Sequence, residues 1–160
     1  MGLFHRFKKN NNSTKTELDN VFDRLPGYYK KFLEDNPNGS EQAFNEYPEE
    51  DPGFEGRYWN LMGKDELLES WEMPGVGKAR NFECLKLYVQ LQQEFGREEY
   101  TASNVGKISL KRIESGFVIS DENGDYLYLD PSDDYSVWIY YHEGGDVLRI
   151  ANSFENFIMH

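Results

Sequence analysis

Apolar residues in the first forty positions recur at helical spacing. Leu18, Val21 and Phe22 fall at i, i+3 and i+4 and predict a helix over about 14–24. Leu25-Pro26 interrupts it. Tyr29, Phe32 and Leu33 then repeat the spacing in a second helix, which Pro26 is suited to open. Asn36-Pro37-Asn38-Gly39 closes that helix with residues that tolerate turn geometry. Residues 40–56 hold two prolines, two glycines and a run of carboxylates that includes Glu49-Glu50-Asp51, the pattern of a long loop. Arg57–Leu61 reads as a short strand. Asp65–Met73 reads as a helix carrying Leu67, Leu68 and Trp71, stopped by Pro74-Gly75. Over 81–96 two periods compete. Leu85, Leu87, Val89 and Leu91 alternate as in a strand, whereas Cys84, Tyr88, Leu91 and Phe95 form a helical stripe. Length and the Glu, Lys and Gln content favour helix.

The last third carries period-two patterning. Gly116–Ser120, Tyr126–Asp130, Val137–Tyr141 and Val147–Ile150 are β-prone runs, separated by Asn123-Gly124, by 131–134 and by Glu143-Gly144-Gly145. Asn-Gly is a strong hairpin signal because both central residues of that turn take positive φ. The runs predict an antiparallel meander, closed by a helix beginning near Asn152-Ser153. Either residue can cap it, and Glu155, three beyond Asn152, fits a capping box. Alternation places Leu127, Leu129, Val137 and Ile139 on one face of the sheet and Tyr126, Tyr128, Trp138 and Tyr140 on the other. If helices cover both faces, these aromatics are core. If part of the aromatic face lies open and rimmed by acids, it is a surface for binding protein, since Tyr and Trp bury area with few rotors to freeze.

Composition adds to this pattern. Four alanines and an aromatic share of 16% mean a core built from Phe, Tyr, Trp and Leu. That aromatic content excludes a disordered acidic chain. The length of 160 residues fits one domain. The formal charge is −12. Arg6, Lys8, Lys9 and Lys15 all precede the first acid, Glu17, which leaves 13 Lys and Arg against 29 Asp and Glu in the remainder, a balance of −16. Residues 1–13 are therefore expected to be a flexible basic tail, and 14–160 the folded domain. The acidity disfavours nucleic acid as a partner, because phosphate contacts need clustered Lys and Arg. The absence of any apolar run of ~18 residues disfavours the membrane. A single cysteine, Cys84, allows no intrachain disulfide, and the start of the chain lacks the apolar core of a secretory signal. Gly2 does not make a myristoylation signal, because Arg6 stands where Ser or Thr is wanted. A cytoplasmic address is expected.

The residues offer little for catalysis. His5 and His160 lie near the termini, which leaves only His142, so a metal or Cys–His site would need long-range convergence. Gly75-Val76-Gly77-Lys78 lacks phosphate-loop spacing and reads as a plain loop. Asp121-Glu122-Asn123-Gly124-Asp125 resembles the start of a calcium loop but has Tyr126 where that loop needs Gly. No enzyme activity, cofactor or metal is expected.

Four segments in order resemble a known family. Leu25-Pro26-Gly27-Tyr28-Tyr29-Lys30-Lys31-Phe32-Leu33 followed by Asn38-Gly39 is similar to the opening of the SUKH superfamily. Gly116-Phe117-Val118-Ile119 leading into Asn123-Gly124-Asp125 resembles its hairpin. Val137-Trp138 resembles its later strand, and Ser153-Phe154-Glu155-Asn156-Phe157-Ile158 its closing helix. The resemblance covers about 17–40 and 115–158. It implies an α+β fold, an antiparallel meander packed against several helices in a single domain. It also implies binding: bacterial members are commonly immunity proteins that neutralise polymorphic toxins, often nucleases, while the yeast relative, the cell-wall assembly regulator, acts in signalling. An acidic protein can mimic the phosphate field that a basic toxin recognises. The contacts expected are Glu49, Glu50 and Asp51 on the long loop, Asp133, Asp134 and Tyr135 at a hairpin end, and Trp138. The partner expected is a basic toxin domain. The alternative is a regulatory or scaffold module acting on the cell's own proteins.

Overall fold

The computed structural model describes residues 16–144 and 146–160; the basic tail expected over 1–13 lies outside them. The first two helices form where their apolar spacing predicts. Helix α1 (Glu17–Asp23) is closed at its start by a reciprocal Thr16–Asp19 capping box, and α2 (Gly27–Asp35) follows Pro26. The expected loop over 40–56 is a strand and a shorter loop. Strand β1 (Ser40–Phe44) pairs antiparallel with β2 (Arg57–Leu61). It escapes the sequence pattern because it is an edge strand: Ser40 and Glu41 are exposed, and only Phe44 is buried.

The helix expected over Asp65–Met73 is also corrected. Helix α3 (Lys64–Leu68) ends after one turn, and β3 (Ser70–Met73) pairs with β4 (Gly77–Arg80) in a small separate sheet. Leu67, Leu68 and Trp71 mimic a helical stripe, but half-buried Trp71 and Met73 alternate with exposed Ser70 and Glu72, which is strand period. The loop expected at 75–78 is the turn of this hairpin and the first half of β4. Over 81–96 helix prevails, as a 3-10 turn (Asn81–Glu83) and α4 (Leu85–Glu94), but α4 buries Leu85, Leu87 and Val89, while Phe95 of the expected stripe is exposed. Residues 97–115, which show no long period, form β5 (Glu99–Ala102), β6 (Gly106–Ser109) and α5 (Leu110–Glu114).

The meander stands as expected: β7 (Phe117–Glu122), β8 (Asp125–Asp130), β9 (Ser136–Tyr140) and β10 (Val147–Ala151). Strands β2 and β1 extend it on one side. On the other, β5 and β6 complete eight strands in the order β1-β2-β7-β8-β9-β10-β5-β6. Among the described residues only the β10–β5 pairing, Val147 opposite Ala102, is parallel. Helix α6 (Phe154–Met159) closes the chain. Its cap is Ser153, which accepts from the Asn156 N–H at 3.1 Å, while the Asn152 side chain is taken by Arg149.

Both faces of the meander are covered. The registers Leu127–Ile139 and Tyr128–Trp138 put the aliphatic and aromatic sets on opposite faces, as alternation requires. On the aromatic side Tyr88 of α4 meets Tyr126 hydroxyl to hydroxyl at 3.0 Å, and Arg112 of α5 lies over Trp138. On the aliphatic side Phe117, opposite Leu129, meets Phe22 of α1 and Tyr29 of α2, and Tyr29 in turn packs on Phe154 of α6. Tyr100 and Tyr140 share a buried hydroxyl pair at 3.1 Å, so the polar tips of these rings are satisfied inside the core.

Cys84 is part of this interior. Burial, followed by the nearby Asp121 charge, pushes its thiol up to about 12. Alkylation by iodoacetamide at pH 8 is therefore expected to be slower in the native protein than in urea by a factor on the order of 100 or more, since the thiolate is the reactive form. Equal rates with and without urea would mean that this part of the core opens freely.

Candidate protein-binding surface

The loop between β1 and β2, residues 45–56, is held closed from within. Asn45 donates through Nδ2 to the carbonyls of Asp51 (2.8 Å) and Phe54 (3.0 Å), and its Oδ1 accepts from the Tyr47 N–H. The Glu50 and Asp51 N–H groups both donate to the Tyr47 carbonyl. Gly56 ends the loop at φ +115, and a Cβ there would sit 2.1 Å from the Phe44 carbonyl carbon, so only glycine lets the returning chain pass so close. With its backbone bonded inward, the loop turns side chains outward. Tyr47 and Phe54 are 50% and 52% exposed, and Glu49, Glu50 and Asp51 are exposed beside them.

Beneath the loop lies a charge cluster centred on Arg57. Its Nη1 donates to Asp125 (2.8 Å) and Glu122 (3.0 Å). Its Nε lies 2.9 Å from Glu46 Oε1, near enough for charge pairing although the N–H is not aligned with that oxygen. The guanidinium stacks 4.3 Å over the Trp59 ring. Tyr141 donates to the other Glu46 oxygen at 2.5 Å. His142 approaches Asp125 Oδ1 with its backbone N–H at 2.9 Å and its Nδ1 at 2.6 Å. Since Asp125 accepts as a carboxylate, Nδ1 carries the proton in that contact. The cluster thereby ties the β1–β2 loop to the β7–β8 turn and to the end of β9. Above it, Phe44, Tyr47, Phe54 and Tyr141 wall a cleft of about 410 Å³ whose polar lining includes Glu46, Glu50, Asp51 and Arg57.

The acidic residues singled out in the sequence divide between two places. Glu49, Glu50 and Asp51 stand on this loop. Asp133, Asp134 and Tyr135 lie in the β8–β9 connection, at the far end of β8, roughly 20 Å away for a strand of that length. The two groups do not form one site. Asp133 is committed internally: Ser136 Oγ donates to it at 2.6 Å and Arg149 Nε at 2.7 Å. Asp134 is exposed, and it and Tyr135 take left-handed φ values of 50° and 59°. Tyr135 faces a second cleft with Val21, Leu25, Phe82 and Phe117. Trp138 is only 1% exposed and donates through Nε1 to Ser136 at 2.7 Å, so the aromatic face it belongs to is covered. The sequence reading missed Asn45, Glu46, Arg57 and Tyr141, which build the first site. Tyr47 and Phe54 were its one visible signal: large aromatics among carboxylates, outside any core period.

Two aspartates anchor these ends electrostatically. Burial works against the Asp125 charge, but the His142 N–H and the Arg57 and His142 side chains outweigh it and hold the carboxyl below its usual range. Hydrogen bonds from Ser136 and then Arg149 do the same for Asp133. A carboxyl lowered on folding stabilises the native state above its unfolded value, near ~3.9, and that contribution disappears as pH falls through the lower folded value. The urea midpoint is expected to drop as pH falls from about 5 to 2, and to drop less steeply in the Asp125→Asn variant. An identical acid slope in the variant would show that Asp125 is not held low.

Among the described residues no group of three or more His, Cys, Asp and Glu side chains is placed to hold a metal ion, and no helix is long and apolar enough to cross a membrane. An eight-stranded, mostly antiparallel sheet between helices on both faces defines a single-domain α+β protein. The chain belongs to the SMI1/KNR4 family (SUKH-1), whose model matches residues 17–160. That family includes toxin-immunity proteins and related regulators, proteins that work through protein–protein interaction. No curated protein and no solved structure matches the chain.

Proposed function

We propose that this protein is a non-catalytic immunity protein of the cytoplasm that neutralises a polymorphic toxin, a nuclease or another basic toxin domain, by binding it directly. The observation that carries the reading is the 45–56 loop. A self-bonded backbone presents two half-exposed aromatics among carboxylates, on a chain whose acids outnumber its bases. Rigid aromatics supply contact area, and the surrounding charge speeds encounter with a basic partner and occupies the surface that partner uses for its substrate. Asp134 and Tyr135, at the other end of β8, are the second candidate contact surface.

The test is growth rescue. Cells producing a toxin domain encoded beside this gene should survive only when this chain is co-expressed. The purified pair should associate more slowly as salt is raised, because exposed charges are screened. If no neighbouring toxin is neutralised and deletion of the gene alters the cell without any toxin challenge, the protein is a regulator of the cell's own proteins.

A further inference from the structure

We infer that the cleft beneath the 45–56 loop is an anchor site for one lysine or arginine side chain of a basic protein partner. The inference rests on the protein-binding reading and specifies its chemistry. Four aromatic rings, Phe44, Tyr47, Phe54 and Tyr141, wall the cleft, and Glu46, Glu50 and Asp51 line it. Of these carboxylates Arg57 pairs with Glu46 and not with Glu50 or Asp51. Its Nη1 is engaged by Glu122 and Asp125, and its guanidinium is stacked on Trp59. Glu46 is shared between Arg57 and Tyr141. Glu50 and Asp51 make no ion pair with any described residue, and both line the cleft and are exposed, as are Tyr47 and Phe54.

This surround discriminates among occupants. An anion would meet three lining carboxylates, Glu46, Glu50 and Asp51, against the single guanidinium of Arg57, whose charge is already shared with Glu122 and Asp125. An aliphatic side chain would strip water from Glu50 and Asp51 and return no partner, which is costly for a charged group. A lysine or arginine satisfies both features at once. Its methylene stem covers the rings while its charged head meets the carboxylates and the π faces. Because Asn45 and Gly56 fix the loop, the cleft is formed before the partner arrives, and less ordering entropy opposes binding.

The probe is N-acetyl-arginine methylamide, titrated into the full chain and followed by the NMR resonances of Tyr47, Phe54, Tyr141 and the Asn45 side-chain amide. Saturable shifts at these residues are expected, weakened at least tenfold in the Glu50→Gln/Asp51→Asn double variant and unchanged in Asp134→Asn. The double variant replaces exposed side chains without ion pairs, so its melting temperature checks that the fold is retained. The Phe54→Ala variant is a second route to the same loss. Shifts spread without saturation over the acidic surface, equal binding by the double variant, or equally tight binding of N-acetyl-leucine methylamide would each overturn the anchor. Growth rescue undiminished in the double variant also overturns it and leaves immunity standing. Failure of every rescue with the cleft shifts intact removes immunity and leaves the anchor.

Discussion

Replacing Trp138 with alanine is expected to destabilise the domain by about 3–5 kcal/mol, the usual cost of deleting a large buried aromatic. Trp138 is fully enclosed. It stacks on Tyr128, lies under Arg112 and donates to Ser136, which in turn donates to Asp133. The substitution removes ring contacts on the central strands and frees Ser136 at one end of that chain. Against a typical total of ~5–15 kcal/mol, it should leave a protein that is partly unfolded at 37 °C. Trp138→Phe keeps most of the volume and should lose only about 1–2 kcal/mol. Urea midpoints measure both. The conservative variant also separates core from contact. If Trp138→Phe binds the partner as tightly as the native chain, Trp138 acts only through the fold. Weaker binding at unchanged stability would make it part of the interface.

Arg57→Ala is expected to cost about 2–4 kcal/mol, somewhat below the figure for a fully buried ion pair because the side chain retains partial access to water. The loss comes less from the missing attraction than from what remains: Glu46, Glu122 and Asp125 left facing one another around an empty place, and Trp59 without its stacked cation. Arg57→Lys should recover only part of the loss, since one ammonium cannot reproduce the Nε and Nη1 contacts together. Adding Glu122→Gln to Arg57→Ala should restore stability, because it removes one of the stranded like charges, and the coupling is read from a double-mutant cycle in urea. A cost below about 1 kcal/mol for Arg57→Ala would place the cluster with ordinary surface ion pairs. The experiment has a functional side too. Arg57 braces the loop that carries Glu50 and Asp51, so the alanine variant should also blunt partner binding.

The parts of the fold that were legible in the sequence share one property: their burial repeats over several residues. Leu18, Val21 and Phe22, the Tyr29–Phe32–Leu33 stripe, and the alternating runs of the meander all fall where pattern places them. The parts that were not legible are short or lie at edges. Strand β1 buries one end only, and β3 carries two half-buried residues, of which Trp71 also matches a helical spacing with Leu67 and Leu68. Such segments become strands because a neighbour offers a free row of backbone groups, which is a property of the neighbour and not of the segment.

The candidate site divides along the same line. Glu49, Glu50 and Asp51 could be picked out as a charged loop, and Tyr47 and Phe54 as aromatics without a core period. Nothing in their order could show that Arg57, Glu122 and Asp125 would meet beneath them, because Arg57 lies more than sixty positions from the other two and is joined to them by the sheet. The same sheet parts Asp133 and Asp134 from the first acids. The sequence by itself determined the α+β class, the family, the acidity of the body and the two chemically distinct faces of the meander. Tertiary structure alone decided that both faces are covered, that Trp138 is core, and that the acids form two separate ends. Periodicity along a chain reports which side chains avoid water, whereas the pairing of strands far apart in sequence decides which of the others come together.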